Sequence, residues 1–154
     1  RDAADKLKLS KPVALHTPLL GSLSGPGRMD ADAKMSKSNP SGTLLVHDSK
    51  KVLTKKLSKA YCPLERAGNP VLDIWEHLLE PTLGKIVIER PEKFGGDLEF
   101  DSYFNLEESY LSGSLHPLDL KNGTATAFFQ IVKPMQDACE DNSEYYDTLI
   151  SAMS

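Results

Sequence analysis

Apolar residues recur at helical spacing along most of the chain after residue 48, whereas the stretch before it mixes short apolar runs with loop-forming residues. Arg1 to Leu9 reads as the end of a helix, and Lys11-Pro12-Val13-Ala14-Leu15-His16 as a short buried strand. Thr17-Pro18 then stops the strand, because proline has no donor for a ladder. One helix and one strand with nothing to pair against look like the last unit of a parallel sheet whose other strands lie elsewhere. The start at Arg1 without a methionine likewise suggests a fragment. Gly21 to Gly42 is dense in Gly, Ser, Pro and Asp and predicts a long loop of the kind that is either functional or disordered. Thr43-Leu44-Leu45-Val46-His47 predicts a brief extended run.

From there the pattern is helical. Asp48 or Ser49 can cap a helix running from about Lys50 to Tyr61, with Val52, Leu53, Leu57, Ala60 and Tyr61 on its apolar stripe. Asn69 with Pro70 opens a second helix, whose Val71, Ile74, Trp75, Leu78 and Leu79 face inward and which should end before Pro81. That register makes Trp75 a core residue. Ile86-Val87-Ile88 and Leu98-Glu99-Phe100 predict two short strands joined by a turn carrying Phe94 at its tip, with Gly95-Gly96 supplying the bend. Asp101 or Ser102 caps a short helix from Tyr103 to Leu111, ended by Gly113. Pro117 opens the longest helix, with Leu120, Thr124, Ala127, Phe128 and Ile131 buried, and Pro134 should kink or break it. A terminal helix would start near Ser143 and run through Tyr145, Tyr146, Leu149, Ile150 and Met153. Two parts result: residues 1–47, and a mostly helical domain with a small hairpin over residues 48–154.

Composition narrows the picture. The 154 residues hold enough apolar side chains for a core, and the net charge of −4 argues against a nucleic-acid binder held by bulk electrostatics. Lysines nevertheless cluster between Lys50 and Lys59, where either a solvated helix face or a phosphate-contacting surface would account for them. Cys62 and Cys139 are far apart and lack metal-ligand spacing, so neither a zinc site nor a disulfide framework is indicated, and a reducing cytoplasm is the simplest setting. No apolar run approaches a membrane span, and the charged first residues do not resemble a signal peptide.

The densest candidate chemistry is Lys34-Met35-Ser36-Lys37-Ser38, near the end of the predicted loop. Two lysines bring mobile point charges and two serines bring short hydroxyl donors, which together suit phosphoryl oxygens. A solvated basic turn has the same composition.

The order of motifs supplies what the pentad lacks. Lys34-Met35-Ser36-Lys37-Ser38 matches the KMSKS signature of class I aminoacyl-tRNA synthetases, and Lys59-Ala60-Tyr61-Cys62-Pro63, Arg90-Pro91-Glu92-Lys93-Phe94-Gly95-Gly96 and His116-Pro117-Leu118-Asp119-Leu120-Lys121-Asn122 follow in family order. The chain resembles the C-terminal part of the tyrosyl-tRNA synthetases of the archaeal and eukaryotic cytoplasmic kind, from Pro12 to about Pro134. The resemblance implies a mainly α chain: the end of a Rossmann-type catalytic domain with the signature loop, then a helical anticodon-binding domain with a small β-hairpin. It implies ATP-dependent activation of tyrosine and transfer to tRNA(Tyr) by the full-length protein, with ATP, accompanied by Mg2+, as substrate. No protein-bound metal site is expected, and this part alone should be inactive.

Within that resemblance Lys34 and Lys37 would offset charge on the β- and γ-phosphates as the loop closes. Ser36 and Ser38 would add hydroxyl contacts or shape the loop, and Met35 would pack near the adenine. Many family members carry serine at the position of Lys37. For the anticodon, Phe94 would stack on the first base, a guanine, Asp119 would accept from its edge, and His116 with Pro117 would form the opposite wall. Phe94 as core filler and Asp119 as a helix-end charge are the plain alternatives. The lysines from Lys50 to Lys59 would touch the RNA backbone. The upstream catalytic domain of the same protein is an implied partner, as is a second copy in a homodimer. A noncatalytic tRNA-binding module or pseudo-synthetase half is the competing reading, and tryptophanyl-tRNA synthetase the related enzyme to weigh against it.

Overall fold

The computed structural model describes residues 6–8, 10, 13, 15–25, 34–36 and 38–144. The expected first strand does not form there: Val13 and Leu15 carry no strand assignment and are each 93% exposed, while Lys11, Pro12 and Ala14 lie outside the described residues. Among the described residues no neighbouring strand offers a ladder to this segment, and an unpaired strand has no means of burying its backbone or its apolar face. Of the expected helix over residues 1–9, only 6–8 are described, as a helical residue followed by a turn.

Gly21 makes an isolated antiparallel bridge to Lys34, and Leu23 N–H donates to Gly42 O at 2.9 Å. A short 3-10 turn, Pro40–Gly42, is capped by the Asn39 side chain. Of the run expected over 43–47, Thr43 is extended (φ −131°, ψ 136°), but Leu45 to Asp48 fold into a tight turn, because the Asp48 carboxylate accepts from Leu45 N–H at 2.9 Å while Asp48 N–H donates to Leu45 O.

Ser49, not Asp48, caps helix α1, Lys50–Ser58. Leu53 and Leu57 are fully buried, but Val52 is 39% exposed and Tyr61 40%. The helix stops two residues short of Ala60, so Tyr61 follows loop geometry: its N–H donates to Leu23 O at 2.7 Å, and its ring lies across Gly25. Gly25 has φ +81°, and a Cβ there would stand 2.5 Å from the ring, so this position admits only glycine.

Helix α2 covers residues 70–83 and contradicts the expected stop before Pro81. Asn69 accepts from Val71 and Leu72 N–H, Pro70 takes the first turn, and Pro70–Ile74 is α-helical. Trp75–Leu79 then widens into a π turn in which Glu80 N–H reaches back to Trp75 O, and Glu80–Leu83 completes the helix. Proline ends a regular helix by a missing donor and a ring clash; one wider turn just before it relieves both.

Strands β1, Ile86–Ile88, and β2, Leu98–Phe100, pair antiparallel with Ile86 opposite Phe100 and Ile88 opposite Leu98. Helix α3, Tyr103–Leu111, is capped by Ser102. Helix α4, Pro117–Asp141, continues through Pro134, so the break that a proline could impose there does not occur. Pro134 and Gln130, whose carbonyl loses its partner, are both exposed, so water can satisfy that oxygen. Of the expected terminal helix, residues 145–154 lie outside the described residues.

One core joins these elements. Leu53 and Leu57 of α1, Val71, Ile74, Trp75 and Leu79 of α2, Ile88 of β1 and Leu106 of α3 pack with Leu120, Phe128 and Val132 of α4; Leu23 and Leu44 enter the same cluster from before residue 48. Trp75 is fully buried, as its register predicts, and its indole N–H donates to Thr124 Oγ1 at 2.8 Å. At Gly123 a Cβ would stand 2.5 Å from Ile88 Cδ1, so the hairpin lies directly on α4.

Candidate functional site

The lysine/serine pentad emerges from the Gly21–Lys34 bridge. Lys34 is exposed, Met35 is half-buried against the core with its N–H donating to Leu20 O at 3.3 Å, and Lys37 lies outside the described residues. Ser36 is pinned twice by one hydroxyl: Ser36 N–H donates to Thr43 Oγ1 at 3.0 Å, and that hydroxyl donates to Ser36 O at 2.8 Å. The Ser36 and Ser38 hydroxyls share a 2.8 Å hydrogen bond, and Asn39 N–H closes the turn on Ser36 O. The described part of the pentad is thus tied at its base while Lys34 and Ser38 face solvent.

Beside it, a cleft of about 590 Å³ opens between Pro40 and Ser41 of the 3-10 turn and Val52 and Lys55 of α1, with Lys59 at the C-cap of that helix. Lys50, Lys51, Lys55 and Lys59 are exposed. Lys56 lines the same cleft but is only 13% exposed, its Nζ 2.6 Å from Asp48 Oδ2. Spacing alone places it with the exposed lysines; the inward turn of Asp48 gives it a buried partner instead.

The second constellation joins the hairpin to the start of α4. A 3-10 turn, Glu92–Phe94, ends in Gly95 and Gly96, both at positive φ (98° and 72°). Phe94 is 59% exposed, and Lys93 Nζ lies 4.8 Å from its ring centroid. An aromatic with that exposure is not filling the core. Arg90 fastens the turn: its N–H donates to Asp97 Oδ1 and its Nε to Gly96 O, each at 2.9 Å. Its Nη1 then stands 3.9 Å from Asp119 Oδ2, and the two side chains are only 12% and 19% exposed.

His116 caps α4, its Nδ1 accepting from Leu118 N–H at 3.1 Å, which leaves Nε2 as the outward-facing atom of an exposed ring. Pro117 is half-buried at the first helical position. Asp119 lies in the first turn, where the helix dipole favours a carboxylate. The structure therefore brings the turn carrying Phe94 and the helix start carrying His116, Pro117 and Asp119 together through Arg90. Nothing in hydrophobic pattern or charge singles out Arg90; its sequence signal is its place at the head of the motif Arg90-Pro91-Glu92-Lys93-Phe94-Gly95-Gly96.

A third polar cluster is structural. Arg66 bonds Asp73 at 2.6 Å, Glu76 and Glu107, and lies 5.9 Å over the Tyr103 ring. Asp73, Glu76 and His77 place ligand atoms within 4.8 Å of one another, but Arg66 already occupies both carboxylates. Burial and the hydrogen bond to Glu107 push the Tyr103 hydroxyl well above the ordinary phenol range. The Cys62 thiol, beside the Tyr110 hydroxyl at 3.1 Å, is pushed up by burial, with Tyr110, Asn69 and Lys121 working against it.

A family model described as tRNA synthetases class I (W and Y) matches residues 1–133. The tyrosine–tRNA ligase of Aeropyrum pernix is 45% identical over 150 residues, covering 90% of this chain and 41% of the relative. That of Saccharolobus solfataricus is 38% identical over 161 residues, covering 97% and 44%. Among solved structures, tyrosyl-tRNA synthetase from Aeropyrum pernix superposes with a TM-score of 0.81 at 39% identity, over 98% of this chain and 42% of that one. The Archaeoglobus fulgidus enzyme complexed with L-tyrosine gives 0.76 at 39%, over 89% and 41%. The chain spans about two fifths of the length of the curated relatives it matches.

Proposed function

The chain belongs to the class I tRNA synthetases of the tryptophan and tyrosine group, and within it to the tyrosyl-tRNA synthetase family; from that premise we propose that it supplies the ATP-closing loop and the anticodon-reading surface of a tyrosine–tRNA ligase. On this reading residues 1–47 end the Rossmann-type catalytic domain and residues 48–154 form the anticodon-binding domain, so the chain corresponds to the C-terminal part of the enzyme. Activation of tyrosine requires the rest of the catalytic domain, the upstream partner of this chain in a cytoplasmic, dimeric enzyme.

ATP is the substrate of the loop. Lys34 and Lys37 would offset the charge of the β- and γ-phosphates while the tyrosine carboxylate attacks the α-phosphate, and Ser36 and Ser38 would direct hydroxyls at the same oxygens. Mg2+ would enter on the ATP phosphates: the described part of the pentad presents lysine and serine, not carboxylates, so no protein ligand is assigned to it.

The observation that carries the tRNA half is Arg90, which ties an exposed aromatic turn to a carboxylate at a helix start. An approach of 3.9 Å orients Asp119 without a direct hydrogen bond, so its oxygens remain acceptors for the paired N1–H and N2–H donors of guanine. Phe94 offers the ring on which that base would stack, and exposed Lys50, Lys51, Lys55 and Lys59 would contact backbone phosphates.

The test is Asp119→Ala in the full-length protein, assayed for each half-reaction. Adenylate formation should hold at the wild-type rate while charging of tRNA(Tyr) falls and discrimination of guanine from adenine at the first anticodon position drops by about 1 to 3 kcal/mol. Absence of tyrosine-dependent ATP–pyrophosphate exchange in the wild type, with tRNA binding retained, would leave the noncatalytic module instead.

A further inference from the structure

Lys56 is the one lysine of α1 that is turned inward. Its Nζ donates to Asp48 Oδ2 at 2.6 Å and to Thr43 O at 2.9 Å, and Asp48 and Thr43 are 7% and 6% exposed. The same Asp48 oxygen accepts from Leu45 N–H, so the carboxylate, the ammonium and the backbone of residues 43–48 form one closed knot. From the far side Gln136 of α4 donates to Val46 O at 2.6 Å and Asp48 O at 3.1 Å. Thr43, held by Lys56 through its carbonyl, holds Ser36 through its hydroxyl on both backbone groups.

A buried ion pair adds little net stability over an apolar pair of equal volume, because both charges must be desolvated. What it does supply is direction: an ammonium with three donors and two oxygen partners fixes where each partner sits. Here the fixed point is the downstream base of the pentad. The chain of contacts runs from a helix of the core, through Lys56 and Thr43, into Ser36 at the centre of the signature.

We propose that Lys56, paired with Asp48, is a positioning residue for the signature motif: by anchoring Thr43 it fixes the base on which Ser36 and Lys34 are set toward the ATP phosphates. This rests on the ATP-closing reading of the loop. A loop that must bring charges to within bonding distance of a transition state loses rate steeply when its base shifts, by about 10- to 100-fold for a displacement near 1 Å.

The experiment uses the full-length protein and single-turnover adenylate formation at saturating ATP, with tyrosine and tRNA(Tyr) affinities measured in parallel. Lys56→Gln and Thr43→Val should each slow adenylate formation by about 10-fold or more while both affinities stay at wild-type values. The double variant should be no slower than the more severe single, since both break one relay. Thr43→Val leaves the buried pair whole, so its result stands even where Lys56→Gln is too unstable to assay. Wild-type rates in Thr43→Val, or additive losses in the double variant, would overturn the proposal. So would a Lys56→Gln protein that binds tRNA more weakly with a shallower salt dependence yet forms adenylate normally, the behaviour of a phosphate contact. Lys34→Ala, run alongside, separates the two levels: if it too forms adenylate at the wild-type rate, the loop reading itself fails; if it is slow while Thr43→Val is not, only the positioning role fails.

Discussion

Arg90 and Asp119 show how one side chain can tie two elements together. The guanidinium spends Nε on the turn carbonyl of Gly96 and turns Nη1 toward the carboxylate, so a single side chain sets the turn and the helix start against each other. Replacing it by lysine would keep a charge and lose the fork. Arg90→Lys should therefore reduce tRNA charging while leaving adenylate formation unchanged, read in the same pair of assays. Residues of this kind were legible only in part. Arg90, Phe94, His116, Pro117 and Asp119 all occur in ordered motifs, but the tie from Arg90 to Asp119, like those made by Asp48 and Thr43, runs to a partner 7 to 29 positions away in sequence, and spacing along one helix placed Lys56 with the exposed lysines. Cysteine chemistry also separates at this scale. Partial burial pushes the Cys62 thiol up, while Cys139 is exposed, so iodoacetamide at neutral pH should label Cys139 first and Cys62 more slowly, as peptide mapping would show.

At the level of elements, capping chemistry is the part that sequence conveys well. Ser49, Asn69 and Ser102 each accept from the first turn of the helix they precede, as residue type and position predict, whereas the cap supplied by His116 is not foretold by its residue type. The two interior prolines are the part it conveys badly. A proline predicts a stop, yet Pro81 follows a π turn and Pro134 sits on a solvent-facing stretch, and both depend on tertiary surroundings that no local window contains. The hairpin's seat on α4 is equally non-local. Gly123→Ala gains helix propensity of about 1 kcal/mol but drives a methyl into the fully buried Ile88, so it should lower stability by a net ~1 kcal/mol or more in urea unfolding. Thr124→Val strands the Trp75 indole N–H in the core and should cost about 1 to 3 kcal/mol by the same measurement.

Across the whole molecule, α4 connects the two proposed sites. Its first turn carries His116, Pro117 and Asp119, and four turns further on Gln136 holds the backbone at Val46 and Asp48 behind the signature loop. The same helix packs against α1, whose exposed lysines border the cleft beside that loop. Among the described residues no helix is long and apolar enough to cross a membrane. The segment around Val13 and Leu15 marks the limit of sequence reading at this scale: its apolar residues predict burial, but burial needs a partner sheet, and both side chains are exposed here.

The central claim is that one chain serves the two half-reactions at separate places, and the most direct measurement is a comparison of both steps in the full-length protein. Lys37→Ala should slow single-turnover adenylate formation with tyrosine affinity unchanged, whereas Asp119→Ala should leave that rate intact and impair charging of tRNA(Tyr) with guanine at the first anticodon position. If Lys37→Ala forms adenylate at the wild-type rate, or if the wild type charges guanine and adenine variants equally, the account is contradicted.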